Sequence, residues 1–198
     1  MTSILVLLGS IRTVSNGEHL YRYLANNADR YTDLTHTEFQ FKNLRDYQLT
    51  GFDEPLPPLA NKNRQLAPNT KRWLADLGAA DGYLIMTPEY DHTMPGALKN
   101  ALDYVADEFM GKPAKVLTYA NNSRGGRLGG IGLLAPLSRL GAFTLPAQIA
   151  VPNVDQYFNE SGVLDVSSDG ADAVVRHLDK AIRELAFYTE LLKNHPFN

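Results

Sequence analysis

Three polar segments of the 198-residue chain hold the residue types that ligand chemistry needs. The first reads Gly9-Ser10-Ile11-Arg12-Thr13-Val14-Ser15-Asn16-Gly17, between an apolar run and a helical pattern. A helix start gathers free backbone N–H groups and the positive end of the helix dipole, which suits an anion. Ser10, Thr13, Ser15 and Asn16 add donors, and Arg12 offers a bidentate, charge-assisted partner for phosphate. Hydrogen bonds to charged groups contribute roughly 1.5–3 kcal/mol each. A few of them, with burial of a ring, reach micromolar affinity, about −8 kcal/mol. The plainer alternative has Ser15 capping the helix and Arg12 solvated.

The second segment is Thr87-Pro88-Glu89-Tyr90-Asp91-His92-Thr93-Met94-Pro95-Gly96, after the apolar run 83–86 and before a helical pattern. A shaped loop at the carboxyl end of a strand is where open α/β sheets bind ligands. Pro88, Tyr90 and the peptide groups suit a flat heteroaromatic ring, with apolar faces and hydrogen-bonding edges. Glu89 and His92 invite an acid–base reading, but no Ser-His-Asp constellation can be assembled, so no catalytic side chain is assigned. His92 reads as a loop-bracing or surface imidazole, and Lys99 with Asp103 as a solvated or interfacial i,i+4 ion pair. The third segment, Asn121-Asn122-Ser123-Arg124-Gly125-Gly126-Arg127-Leu128-Gly129-Gly130, places glycines where a helix should start. Glycine lets backbone approach a planar ligand closely; a flexible linker is the alternative.

The elements that must position these loops follow from periodicity. Residues 4–8 are a continuous apolar run, as a doubly buried strand should be. Further strands are expected at 38–41 continuing toward Leu44, at 82–86, at 114–119 and at 147–151. Helices are expected after a cap at Ser15 or Asn16 (carrying Leu20, Leu24 and Ala28), and at 69–77, 95–105, 133–140 and 171–192. Pro95 fits the first helical turn. Residues 46–58, with Gly51, Pro55, Pro57 and Pro58, read as a long irregular loop. Five strand–helix alternations imply a parallel sheet with helices on both faces. The expectation is an α/β flavodoxin-like three-layer sandwich with sheet order 2-1-3-4-5, as a single domain over 1–198. In that order the three polar loops share one edge.

Composition narrows the function. With 44% hydrophobic and 21% charged residues the chain is of ordinary globular type, and a net charge of −3 gives no general attraction to nucleic acid or anionic membrane. There are no cysteines, which excludes disulfides, thiolate nucleophiles and Cys-held metals. The five histidines are scattered, so no metal site is assigned. The N-terminal apolar run is too short to span a membrane and lacks a preceding basic region, so a cytoplasmic location is expected. Neither a P-loop nor the dinucleotide Gly-x-Gly-x-x-Gly pattern follows the first strand. Hydroxyl-rich chemistry there suggests a terminal monophosphate.

Together the three loops resemble the NADPH-dependent FMN reductase family of flavodoxin-like flavoproteins, which includes quinone, azo-dye and chromate reductases. Residues 87–103 resemble its signature T-P-E-Y-N-x-(S/T)-x-P-G-x-L-K-N-A-x-D, and residues 9–15 its phosphate loop G-S-x-R-x-x-S. Ser123-Arg124-Gly125-Gly126 resembles its third loop, and residues 52–58 its proline-rich segment. The resemblance implies that Ser10, Arg12, Ser15 and Asn16 hold the FMN phosphate. It implies that Pro88, Glu89, Tyr90 and Asp91 line the isoalloxazine, and that Ser123, Gly125 and Gly126 meet its pyrimidine side. NADPH or NADH would be the co-substrate, a small molecule the electron acceptor, and a homodimer or homotetramer the assembly. A flavodoxin-type electron carrier and a non-enzymatic flavin-binding protein are the alternatives. Two departures stand out: Asp91 replaces the usual Asn, and Gly17 stands where many relatives carry an Asn.

Overall fold

The computed structural model describes residues 1–61 and 63–196. Strands β1 (Thr2–Leu8), β2 (Thr37–Asn43), β3 (Gly82–Thr87) and β4 (Pro113–Tyr119) pair in parallel in the order β2-β1-β3-β4. The fifth position beside β4 is shared by β5 (Phe143–Thr144) and β6 (Ile149–Val151). Leu8 lies alongside both Asn43 and Met86, and Thr87 alongside Thr118, so the carboxyl ends of the inner strands finish level. That is the flavodoxin-like order 2-1-3-4-5, and three loops leave the sheet at one height.

Alternation along β1 divides the core. Ile4, Val6 and Leu8 pack with Leu20 and Leu24 of α1 (Asn16–Asn26), Tyr31 of α2 (Ala28–Thr35) and Leu178, Ile182 and Leu185 of α6 (Ala171–Asn194). Leu5 and Leu7 point the other way. They meet Trp73 and Leu77 of α3 (Pro68–Ala79), Leu98 and Leu102 of α4 (Gly96–Asp103) and Leu133 and Leu137 of α5 (Arg127–Arg139). A strand with side chains on both faces and helices over each must read as an unbroken apolar run. Trp73 is fully buried, and its indole N–H donates to Ala101 O at 3.0 Å.

The structure corrects several boundaries. The helix expected to run from Leu20 through Ala28 is two helices. It breaks at Asn27, whose side-chain amide donates back to Tyr23 O at 2.8 Å. That local bond competes with helix continuation, as Asn side chains do. Pro95 stands outside α4 as its N-cap residue, and the helix stops at Asp103 rather than 105. α5 begins six residues earlier than 133, taking residues 127–130 out of the third loop. The strand expected at 147–151 shrinks to Ile149–Val151, because Ala147 has φ of 55°, a left-handed conformation that no strand accommodates. Between the registers Ala114–Thr144 and Leu117–Ile149, β4 has two residues and the outer strand four, so the edge bulges. Lys115 reaches into that bulge, donating to Pro146 O at 2.6 Å while pairing with Glu184 of α6 at 2.7 Å.

The irregular stretch after β2 is firmly braced. Glu54 accepts a bidentate pair from Arg64, which also donates to Tyr104 O. Asn100 of α4 clamps the same stretch, donating to Thr50 O and accepting from Phe52 N, each at 2.7 Å.

Candidate functional site at the carboxyl edge of the sheet

Parallel pairing of β1, β3 and β4 brings the three polar loops together. Gly9 N–H donates to Met86 O at 2.8 Å, fastening the first loop to the start of the second. The Asn16 side chain donates to Asn121 Oδ1 at 2.7 Å, fastening it to the third. Glu89 accepts from Leu128 N–H at 3.0 Å, fastening the second loop to α5. The edge is one connected surface.

The second loop is a small hairpin. Tyr90 and Thr93 exchange two backbone hydrogen bonds of 2.9 and 3.0 Å, and Asp91 and His92 between them have φ of 47° and 64°. Two central residues with positive φ define a type I′ turn, which favours Asn, Asp or Gly. Asp91 therefore keeps the backbone an Asn would supply, and its side chain is exposed. Pro88 and Met94 are buried at the base, while Tyr90 is 36% exposed at the rim. Glu89 satisfies an otherwise free N–H in the first turn of α5, with its charge against the positive end of the dipole. His92 Nδ1 lies 3.3 Å from Glu89 Oε1, and its side chain is 73% exposed. Both residues shape the loop.

The first loop holds its polar groups differently. Ser15 occupies the N-cap position of α1, yet its hydroxyl makes no capping bond; Glu18 N–H takes the Ser15 carbonyl instead. The alternative of a capping Ser15 side chain is thereby corrected. Ser10 is buried. Arg12 is exposed, and Glu18 is engaged by Arg22 and Arg45 at 2.7 and 3.6 Å. Beneath the loop, Tyr119 ends β4 with 4% exposure and a buried hydroxyl that closes no hydrogen bond of good geometry among the described residues. A Cβ on Gly17 would stand 2.1 Å from that ring and hydroxyl, so Gly17 is what lets Tyr119 in. An unsatisfied buried hydroxyl costs about 1–3 kcal/mol. A cluster of hydroxyls beside a helix start and one exposed arginine fits a phosphate.

The third loop owes its glycines to packing as well as to turns. Gly125 and Gly126 have φ of 63° and 71°, and a Cβ on Gly126 would meet Tyr119 O at 2.8 Å. Gly129, inside α5, lies so close to the second loop that a Cβ would stand 2.4 Å from Pro88 O. Ser123 is exposed at the tip, beside the turn in which Asn122 Oδ1 accepts from Arg124 N–H at 2.9 Å. All eleven expected site residues thus lie on this edge. Sequence reasoning missed Tyr119 and Asn100. A glycine one residue into a helix (here Gly17) is the signal that something large approaches there.

A cavity of about 570 Å³ lies elsewhere. It runs along the outer side of β6, lined by Lys115, Gln148, Ile149, Val174, His177 and Glu184. Among the described residues no cluster of three or more His, Asp or Glu side chains could hold a metal.

Fold and edge define a flavodoxin-like flavoprotein class, with a phosphate-type loop, a rigid hairpin and a glycine turn at one sheet edge. Residues 2–156 match the family model for NADPH-dependent FMN reductase, and the chain belongs to that family. An NAD(P)H-dependent FMN reductase of Schizosaccharomyces pombe is 25% identical over 199 residues, covering 98% of this chain and 92% of the relative. A 2-hydroxy-1,4-benzoquinone reductase of a Burkholderia species is 28% identical over 174 residues, 84% of this chain and 83% of the other. Among solved structures, the flavoenzyme NAD(P)H:(acceptor) oxidoreductase FerB of Paracoccus denitrificans superposes with a TM-score of 0.74 at 21% identity. That match covers 96% of this chain and 98% of the other, and speaks to the fold.

Proposed function

We propose that this edge holds FMN and that the chain, as an FMN-dependent NAD(P)H oxidoreductase, reduces a small acceptor such as a flavin, a quinone or an azo compound. The observation that carries the reading is the helix start of α1 with its uncapped Ser15 side chain and the buried Tyr119 hydroxyl beneath it, beside a hairpin held by its own hydrogen bonds that can border a flat ring. Ser10, Arg12, Ser15 and Asn16 take the phosphate. Pro88, Glu89, Tyr90 and Asp91 border the ring, Glu89 through its backbone because its carboxylate serves α5. Ser123, Gly125 and Gly126 meet the pyrimidine side. Bound FMN would supply the redox chemistry, taking electrons from NADPH or NADH and returning them to the acceptor. The protein's part is to position the flavin, so no side chain is assigned as acid or base.

The test is direct. Purified protein is titrated with FMN by fluorescence quenching, and NADPH and NADH consumption is followed with FMN, a benzoquinone and an azo dye. Failure to bind FMN sinks the reading. Binding without turnover on any acceptor leaves an electron carrier or a non-enzymatic flavin protein.

Residues 1–198 are read as one domain and the location as cytoplasmic; no helix among the described residues is long and apolar enough to cross a membrane. A homodimer, or a tetramer built from it, is proposed across α5, where Leu128, Ile131 and Leu134 are 37%, 54% and 42% exposed at helical spacing beside the site. Ile131→Glu should convert the assembly to monomers in light scattering; an unchanged mass overturns that interface.

A further inference from the structure

We infer that Tyr119 is itself a phosphate ligand, its hydroxyl donating to the FMN phosphate through the gap that Gly17 leaves in the first turn of α1. The inference rests on the FMN reading above. Buried hydroxyls are almost always hydrogen-bonded, and one that is not calls for a reason. Tyr119 is 4% exposed, and among the described residues its hydroxyl closes no hydrogen bond of good geometry; the Ser10 and Ser15 side chains stand only near enough for weak ones.

Its position supplies the reason. Any side chain at residue 17 would collide with the ring and hydroxyl at 2.1 Å, so α1 cannot present a polar group of its own there. The phenol from β4 takes that place. Ser15 and Ser10 lie within weak hydrogen-bonding reach of the Tyr119 hydroxyl and the Arg12 charge acts on it from nearby, and all three belong to the first loop. Burial drives the phenol far above its ordinary range of ionisation, which those three neighbours only partly offset. It therefore stays a neutral O–H donor, the form an anion needs. Tyr31 also has an unpartnered hydroxyl, but it stands by Arg30 and Asp179, away from the three loops. The departure at Gly17 is thus a relocation: the polar contact comes from the sheet below instead of the helix.

Tyr119→Phe removes one oxygen and keeps the ring that Gly17 accommodates. The apoprotein of each form is titrated with FMN and with riboflavin at one ionic strength. The variant should bind FMN roughly tenfold more weakly and riboflavin within about twofold of the unaltered protein, since a hydrogen bond to a charged group is lost. The variant apoprotein should melt no lower than the parent, because an unsatisfied hydroxyl has been taken out of the interior. Undiminished FMN affinity in the variant overturns the proposal. So does equal weakening of FMN and riboflavin, which would place the effect on the ring. A lower apoprotein melting temperature would mean the hydroxyl already has a protein partner, and overturns it too. Should the parent protein itself show no preference for FMN over riboflavin, the phosphate reading fails before the variant is considered.

Discussion

The second loop closes its hydrogen bonds on itself and on α5: Tyr90 with Thr93, Glu89 with Leu128, and Gly129 pressed against Pro88 O. The first loop leaves the Ser15 side chain without a capping bond and Arg12 exposed beside a helix start, over the buried Tyr119 hydroxyl. Both reach the same sheet edge from level strand ends, so the contrast comes from their sequences and not from their placement. A flat ring is bordered best by a surface whose shape is already fixed. An anion is bound best by donors that have no prior partner. On the proposed reading, the phosphate and the ring of FMN ask opposite things of the backbone.

That contrast can be broken from below or from either side. The largest effect should come from alkaline pH, which acts on the core on both faces of the sheet. Burial, chiefly, raises the ionisation of Tyr31, Tyr83 and Tyr119 well above the ordinary 10.0. The unfolded chain then loses those protons first, so stability is whole below about pH 10 and falls as pH rises beyond it. Circular dichroism melts between neutral and strongly alkaline pH should show this, and a flat profile would contradict it. Next, Arg12→Ala should weaken FMN binding by about 10- to 100-fold, corresponding to roughly 1.5–3 kcal/mol, with the apoprotein melting temperature unchanged. Equal affinity would remove Arg12 from the phosphate side.

In the second loop the order reverses, and stability suffers before affinity. Gly129→Ala forces a Cβ against a backbone carbonyl and should cost about 1–3 kcal/mol in denaturant unfolding. Glu89→Ala strips a partner from the start of α5 and should cost about 1 kcal/mol by the same measure. Asp91→Asn is expected to do least, below about 0.5 kcal/mol, since both residues accept a type I′ turn. Its charge is exposed, so any shift in flavin midpoint potential should be small and shrink with added salt. A large, salt-independent shift would place Asp91 against the ring.

Much of this was readable in the residues. The apolar run at 4–8 announced a strand buried on both faces, and the residue types at 9–17 and 87–96 announced loops at one edge. What could not be read was long-range. That Asn27 would break a helix depended on one local hydrogen bond winning over propensity. That Glu89 would serve a helix forty residues on, or Asn100 a loop fifty residues back, depended on the packing of α4 and α5. Tyr119 was hidden for the same reason. At the end of an apolar strand it reads as core, and only its approach to Gly17 gives it a polar task.

The bulge at the sheet's outer edge carries a consequence of its own. β5 and β6 are two and three residues long, with Pro146 and the left-handed Ala147 between them, and the Lys115 amine occupies the Pro146 carbonyl. An edge so broken offers no continuous row of N–H and C=O groups for another chain to zip against. Copies of this protein therefore find no template for extending the sheet at that edge, and the longer edge strand, β2, lies on the opposite side of the sheet.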